Sequence, residues 1–289
     1  MKTLDSTCST ATEAGGAVQR RFIRRHSVFV RVTHWMNALC LSILLLSGLQ
    51  IFNAHPRLYW GESGADTDQA FIAIGSHKYE ERLHGFLQIG SLVIETTGVL
   101  GVSHEGGAAT ARAFPSWLTI PSYHDLGAGR NWHFLFAWLL VINGLAYLIY
   151  GFWRGHVRRD LLPDRDQLKL RHLWQEVLDH ARFRFAKGDE ARRYNALQKI
   201  TYLFLVLGVL PLMVLTGLTM SPALDAAFPF LPDLFGGRPS ARTLHFITAF
   251  SLVLFVVVHV SMVFLSGFWN NLRSMMNGRY AIDYPGDAR

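Results

Sequence analysis

Cysteine is almost missing from this chain, and that scarcity removes several chemistries at once. Only Cys8 and Cys40 occur among 289 residues, the first in a polar stretch and the second inside an apolar run. Neither a disulfide framework nor a CxxC metal site can be built from them, and the lack of any CxxCH excludes covalent attachment of a c-type haem by that motif. Charge is scarce too. Charged residues make up 17% of the chain, against about a quarter in an ordinary soluble domain. With 50% hydrophobic residues and a mean hydropathy of +0.19, the chain is expected to be an integral membrane protein with sizeable polar loops.

Residues 1–19, rich in Ser, Thr, Ala and Gly, show no apolar periodicity and read as a disordered tail. A basic segment follows, holding Arg20, Arg21, Arg24, Arg25 and Arg31. Arg20-Arg21 imitates a twin-arginine export signal, but no small-residue cleavage site follows it. Four runs are long and apolar enough to span roughly 30 Å of hydrocarbon: about 28–52, 132–152, 200–220 and 242–267. Pro211 is placed to kink the third. A fifth stretch, Leu83–Ser103, competes for membrane status, yet it carries His84, Gln88, Glu95, two threonines and four glycines and alternates in places as a strand does. It reads as a β-hairpin within a loop.

Charge placement agrees with four spans. Residues 154–199 hold twelve Lys/Arg against seven Asp/Glu, whereas residues 53–130 hold five against eight. The positive-inside rule therefore puts the N-terminus, the 154–199 loop and the C-terminus in the cytoplasm. The formal net charge of +7 is then an orientation signal and not the footprint of a nucleic-acid binder. The expected order is a tail (1–19), a basic segment with the first span (20–52), an extracytoplasmic loop domain (53–130), the second span (131–153), a basic cytoplasmic loop (154–199), the third span (200–220), an outer loop (221–241), the fourth span (242–268) and a cytoplasmic tail (269–289). The fold class is an all-α, four-helix transmembrane bundle in a bacterial inner membrane. The long 53–130 loop is a candidate docking surface.

The spans carry four histidines: His34 in the first, His133 in the second, and His245 and His259 in the fourth. An ionisable ring inside a membrane span is costly enough to be read as functional. His245 and His259 are fourteen residues apart, about 40° out of register on one helical face and about 21 Å apart along the axis. Depth pairs His34 with His259 near the cytoplasmic side and His133 with His245 near the outer side. Facing imidazoles at matched depth are what a six-coordinate b-type haem requires. Gly48 lies on the face of His34 at the depth of the outer pair, and Gly144 on the face of His133 near the inner pair, leaving room for a flat macrocycle. A zinc site is disfavoured by the separation of the pairs and the missing carboxylate or thiolate partners. His55, His77, His84, His104 and His124 in the loops have no metal-like spacing, and Trp132, Trp153 and Trp269 read as interfacial belts, with Trp60 and Trp117 either there or in the outer domain. Arg130, Arg238 and Arg242 lie near the outer pair, where they would meet haem propionates or serve as ordinary boundary arginines.

The blocks RVTHW (31–35), GRNWHF (129–134), RYNALQK (193–199), SARTLHF (240–246) and HV (259–260) touch all four spans. This pattern resembles the bacterial cytochrome b561 superfamily of di-haem membrane subunits, which includes the cytochrome b subunits of nickel–iron hydrogenases, formate dehydrogenases and thiosulfate reductases. WHFLFAW, NGLAYLIYG and GGRPSARTLHF look most like the cytochrome b/b6-domain partners of periplasmic molybdopterin-dependent oxidoreductases. The resemblance implies two haem b groups and a ubiquinone or menaquinone site beside the inner haem, with Asn195, Gln198, Lys199 and His259 as contacts. Leu197 stands where the family often has Gly. The implied function is electron transfer between the quinone pool and an extracytoplasmic oxidoreductase subunit. Two alternatives stay open: a standalone superoxide or quinol oxidoreductase of the same superfamily, and a haem-free membrane anchor.

Overall fold

The computed structural model describes residues 19–65, 68–105, 107–155, 162–163, 167, 169–182 and 196–284. The expected tail up to residue 18, much of the basic 154–199 loop and Asn195 lie outside the described residues. Among those described, four helices are long and apolar enough to cross a membrane: α1 (Val28–Phe52), α2 (Leu126–Trp153), α4 (Ala196–Thr219) and α7 (Arg238–Leu265). A shorter amphipathic helix, α3 (Leu170–Ala181), precedes α4; α5 (Pro222–Ala227) and α6 (Phe230–Leu234) follow it.

Three spans start earlier than apolarity alone indicates: polar groups satisfy the first turns of two, and a proline opens the third. Asp125 Oδ1 accepts from Ala128 N at 2.9 Å and starts α2. Glu176 of α3 accepts from the backbone N–H groups of Ala196 and Leu197 at 3.1 and 2.8 Å and starts α4. Pro239, whose missing N–H costs nothing in a first turn, opens α7. Pro211 leaves a mark within α4. It offers no N–H to the turn behind it, and the helix widens there into a π-turn over Leu205–Val209, with Leu210 N bonding five residues back to Leu205 O.

The membrane helices form two pairs. α1 packs along α2, and α4 along α7, while across the pairs the described helices make few close backbone approaches. Hydroxyl and amide groups supply contacts that apolar side chains cannot supply against apolar lipid: Asn143 Nδ2 donates to Thr33 O at 2.9 Å and to Asn37 Oδ1 at 2.7 Å, tying α2 to α1.

One end of the bundle carries a β-domain. Leu83–Ser103 is not a helix. It contributes most of β4 (Arg82–Ile89), all of β5 (Leu92–Glu95) and the start of β6 (Val102–Glu105). The domain is larger than a single hairpin: β2 (Arg57–Leu58), β3 (Ile72–Tyr79), β4 and β5 make a four-stranded antiparallel sheet in chain order, and β6 pairs with β7 (Ala108–Ala111). The glycines permit close backbone crossing. Gly101 has φ +81°, and a Cβ on it would stand 2.1 Å from Gly75 O. The domain core, Leu58, Ile74, Ala113 and Phe114, is continuous with Leu49 and Phe52 at the end of α1 and with Phe246 of α7. Polar bolts complete the junction. Asn53 exchanges two hydrogen bonds with the Phe114 backbone, Thr243 Oγ1 donates to Tyr59 O at 2.7 Å, and buried Arg112 donates to Gln50 Oε1, Thr119 Oγ1 and Ser122 O.

The opposite end is closed by a ribbon that joins the expected basic segment before the first span to the expected C-terminal tail. β1 (Gln19–Arg24) pairs antiparallel with β8 (Arg279–Tyr284), and the amphipathic helix α8 (Phe268–Asn277) leads into that ribbon. Arg31 Nη1 donates to Met276 O, and Trp35 Nε1 donates to Met275 O at 3.2 Å, fixing α8 against the start of α1.

Candidate functional site

The four span histidines come together as two pairs, each made across the gap between the helix pairs. His34 of α1 faces His259 of α7 with ring centres 6.2 Å apart and planes at 60°. His133 of α2 faces His245 of α7 at 6.3 Å and 62°. The first pair lies toward the β1–β8 ribbon and the second toward the β-domain, and α7 supplies one ring to each. These are the pairings that depth along the helices gives.

The spacing has a chemical meaning. With metal–nitrogen bonds of about 2 Å and roughly 1.1 Å from nitrogen to ring centre, two imidazoles on opposite sides of one iron stand about 6.2 Å apart. The outer faces of the second pair are held in place. Ser47 Oγ of α1 lies 3.1 Å from His133 Nδ1, and Thr216 Oγ1 of α4 lies 3.1 Å from His245 Nδ1. Each hydroxyl is also 2.7 Å from the carbonyl four residues back, Ile43 O and Leu212 O respectively. An O···O approach that short needs a proton between the atoms, so the hydroxyl proton is spent there and the hydroxyl must accept from the imidazole. Met213 O, which can only accept, lies 3.1 Å from His245 Nδ1 and demands the same assignment. Both rings therefore carry hydrogen on Nδ1, and the neutral form of each keeps its lone pair on Nε2, the state a metal ligand needs.

The backbone leaves space for these rings. A Cβ on Gly48 would be 3.3 Å from His133 Cε1, and one on Gly217 would be 3.3 Å from His245 Cε1. A Cβ on Gly144 would meet nothing within 4 Å, so the α2 face toward the other pair is open. Near the β-capped end the buried Tyr59 hydroxyl lacks a mate among the described residues. The Tyr59 ring stacks on His55 at 5.9 Å, and the His55 carbonyl accepts from Arg242. An orphan hydroxyl close to a guanidinium suits a carboxylate such as a haem propionate. Paired neutral imidazoles, flanking glycines and this orphan donor all fit haem.

Other candidates are placed differently. Arg130 is exposed, with its guanidinium over the Phe134 ring at 5.7 Å. Lys199 is buried, and Nζ donates to Leu162 O and Gln167 Oε1 at 3.3 and 3.2 Å, so the segment between α2 and α3 already engages it. Gln198 lies in the first turn of α4. His77 and His84 stack across β3 and β4 at 5.8 Å, and His84 Nδ1 is 3.0 Å from Glu95 Oε1. No group of three or more potential ligands among the described residues is arranged to hold an ion. Ser47, Thr216 and Tyr59 were missed by sequence reasoning. The first two had a signal: Leu46-Ser47-Gly48-Leu49 and Leu215-Thr216-Gly217-Leu218 repeat one pattern in spans one and three.

The fold and site define a multi-pass membrane helical bundle suited to haem. The prokaryotic cytochrome b561 family profile matches residues 25–278, and the chain belongs to that family. Its coarse role follows: a b-type haem protein of membrane electron transfer. A relative from Azospira oryzae, provisionally named protein-methionine-sulfoxide reductase subunit YedZ1, is 30% identical over 240 residues, covering 83% of this chain and 90% of the relative.

Proposed function

We propose that the protein holds two b haems and carries electrons across the membrane between a quinone near the cytoplasmic face and an oxidoreductase subunit outside. The observation that carries this reading is the pair of histidine pairs, 6.2 and 6.3 Å across, stacked along one helix. His34 and His259 would hold the inner haem, His133 and His245 the outer one. The two ligands on α7 are fourteen positions apart, which would set the sites about 21 Å apart along its axis. Haem supplies the one-electron chemistry when bound. Tyr59 and Arg242 would hold a propionate of the outer group, with Arg130 at the rim.

Charge distribution orients the chain with the β1–β8 ribbon in the cytoplasm and the β-domain outside. The β-domain is then the docking face for a partner. The resemblance to cytochromes that serve molybdopterin enzymes, together with the relative named as a reductase subunit, supports a partner of that kind. At the cytoplasmic end Asn195 and Gln198 would offer hydrogen bonds to a quinone. Lys199 would join them only by leaving Leu162 and Gln167.

The test is rapid mixing of dithionite-reduced protein, freed of reductant, with a short-chain quinone, followed at the reduced α-band near about 560 nm. Oxidation within seconds is expected. A band that persists removes the quinone role, and the lack of any co-purifying subunit after mild extraction removes the partner.

A further inference from the structure

The repeated Leu-Ser/Thr-Gly-Leu segments carry more than a structural echo. In each helix pair, the first helix presents a hydroxyl and then a glycine to the histidine of the second. Ser47-Gly48 on α1 meets His133 on α2, and Thr216-Gly217 on α4 meets His245 on α7. Both hydroxyls are fully buried, at 0% exposure. The two halves of the β-capped site are thus built alike, although helices and sequence differ. The other pair has no such device: among the described residues neither His34 nor His259 is hydrogen-bonded, and their ring neighbours are Trp35 at 5.6 Å and Phe255 at 5.8 Å.

We propose that Ser47 and Thr216 are positioning residues that lower the reduction potential of the haem held by His133 and His245 relative to the haem held by His34 and His259. This rests on the di-haem reading above. Each hydroxyl accepts from Nδ1–H while donating to a helix carbonyl, and that chain of hydrogen bonds polarises in one direction. Pulling on Nδ1–H raises the electron density at Nε2, makes the ring a stronger donor and favours ferric iron over ferrous. The glycine lets the hydroxyl and ring approach without pushing the imidazole from its place.

The test is an optical redox titration of the purified full chain, comparing wild type with the Ser47→Ala/Thr216→Val double variant and with Ser47→Thr/Thr216→Ser, which keeps both hydroxyls. The component belonging to the His133–His245 haem is assigned by its loss in His245→Ala. In the hydroxyl-free variant its ferrous form is expected to gain about tenfold, a rise of about 59 mV for one electron. The other component and the hydroxyl-retaining variant stay at their wild-type potentials. If the hydroxyl-free variant cannot retain that haem, the single variants Ser47→Ala and Thr216→Val, each keeping one hydroxyl, are titrated instead: a raised potential of that haem in each supports the inference, and an unchanged potential in both overturns it. Two fully loaded haems with unchanged potentials, or an equal shift in both, overturn the inference. Wild-type protein without haem overturns the di-haem reading itself.

Discussion

Gly48→Ala sets two ordinary effects against each other. In a helix interior alanine is better than glycine by about 0.8–1.0 kcal/mol. The added Cβ, however, would lie 3.6 Å from His133 Nδ1, an ordinary contact, and 3.3 Å from Cε1, a tighter approach than most side-chain contacts. The ring cannot retreat freely, because Ser47 holds Nδ1 at 3.1 Å from the adjacent position. Overpacking of this kind costs about 1–3 kcal/mol, and a weakened hydrogen bond adds about 1 kcal/mol. Packing therefore wins by about 1–3 kcal/mol, a factor of about 5–150 in retention of the ligated state. Gly217→Ala repeats the experiment on His245, with a 3.3 Å approach and the ring held by Thr216. Gly144→Ala is the control, since its Cβ meets nothing within 4 Å. Haem retention at the His133–His245 site, followed by haem transfer to apomyoglobin, should fall in the first two variants and not in the third. Wild-type retention in a Gly48→Ala/Gly217→Ala double variant would refute the claim that these glycines fit the backbone to the rings.

His259→Ala should abolish the haem at the ribbon end and reaction with quinone while leaving the other haem in place; loss of both haems, or of neither, in the reduced spectrum contradicts the pairing. Arg112→Met removes a buried guanidinium that serves Gln50, Thr119 and the Ser122 carbonyl, and should lower stability by about 2–4 kcal/mol, read as earlier thermal unfolding and faster proteolysis of the β-domain. An unchanged melting curve would show that this junction does not hold the domain. The Glu95 carboxyl is kept below its ordinary range first by the hydrogen bond with His84 and then by that from Thr97. A depressed carboxyl pKa stabilises fully above its unfolded value of about 4.3 and loses that contribution as pH falls through the folded value. Hydrogen exchange in the β4–β5 hairpin should therefore accelerate at acid pH in wild type, with Glu95→Gln showing a flatter profile; identical profiles would remove Glu95 from that role.

The histidine pairing was legible because two regularities of membrane helices, fixed rise per residue and basic loops on one side, place each ring in depth without any contact information. The hairpin at Leu83–Ser103 was legible from alternation and glycine. The β1–β8 ribbon was not, since its strands lie at opposite ends of the chain and neither alternates strongly. Span starts were misplaced where the capping group is polar: Asp125 is local to α2, but Glu176 reaches α4 from another helix. Ser47 and Thr216 were hidden because hydroxyls in membrane helices routinely bond the carbonyl one turn back, as these do, and only the repeated Ser/Thr-Gly pattern distinguishes them. The engagement of Lys199 with Leu162 and Gln167 depends on how the loop folds back, which no local pattern encodes.

The most direct measurement is the haem content of purified protein, by pyridine haemochrome against quantitative amino-acid analysis, for wild type, His245→Ala and His34→Ala. Two b haems per chain in wild type and one in each variant are the expected values. One haem in wild type, or loss of both in either variant, would contradict two independent bis-histidine sites along a single helical axis.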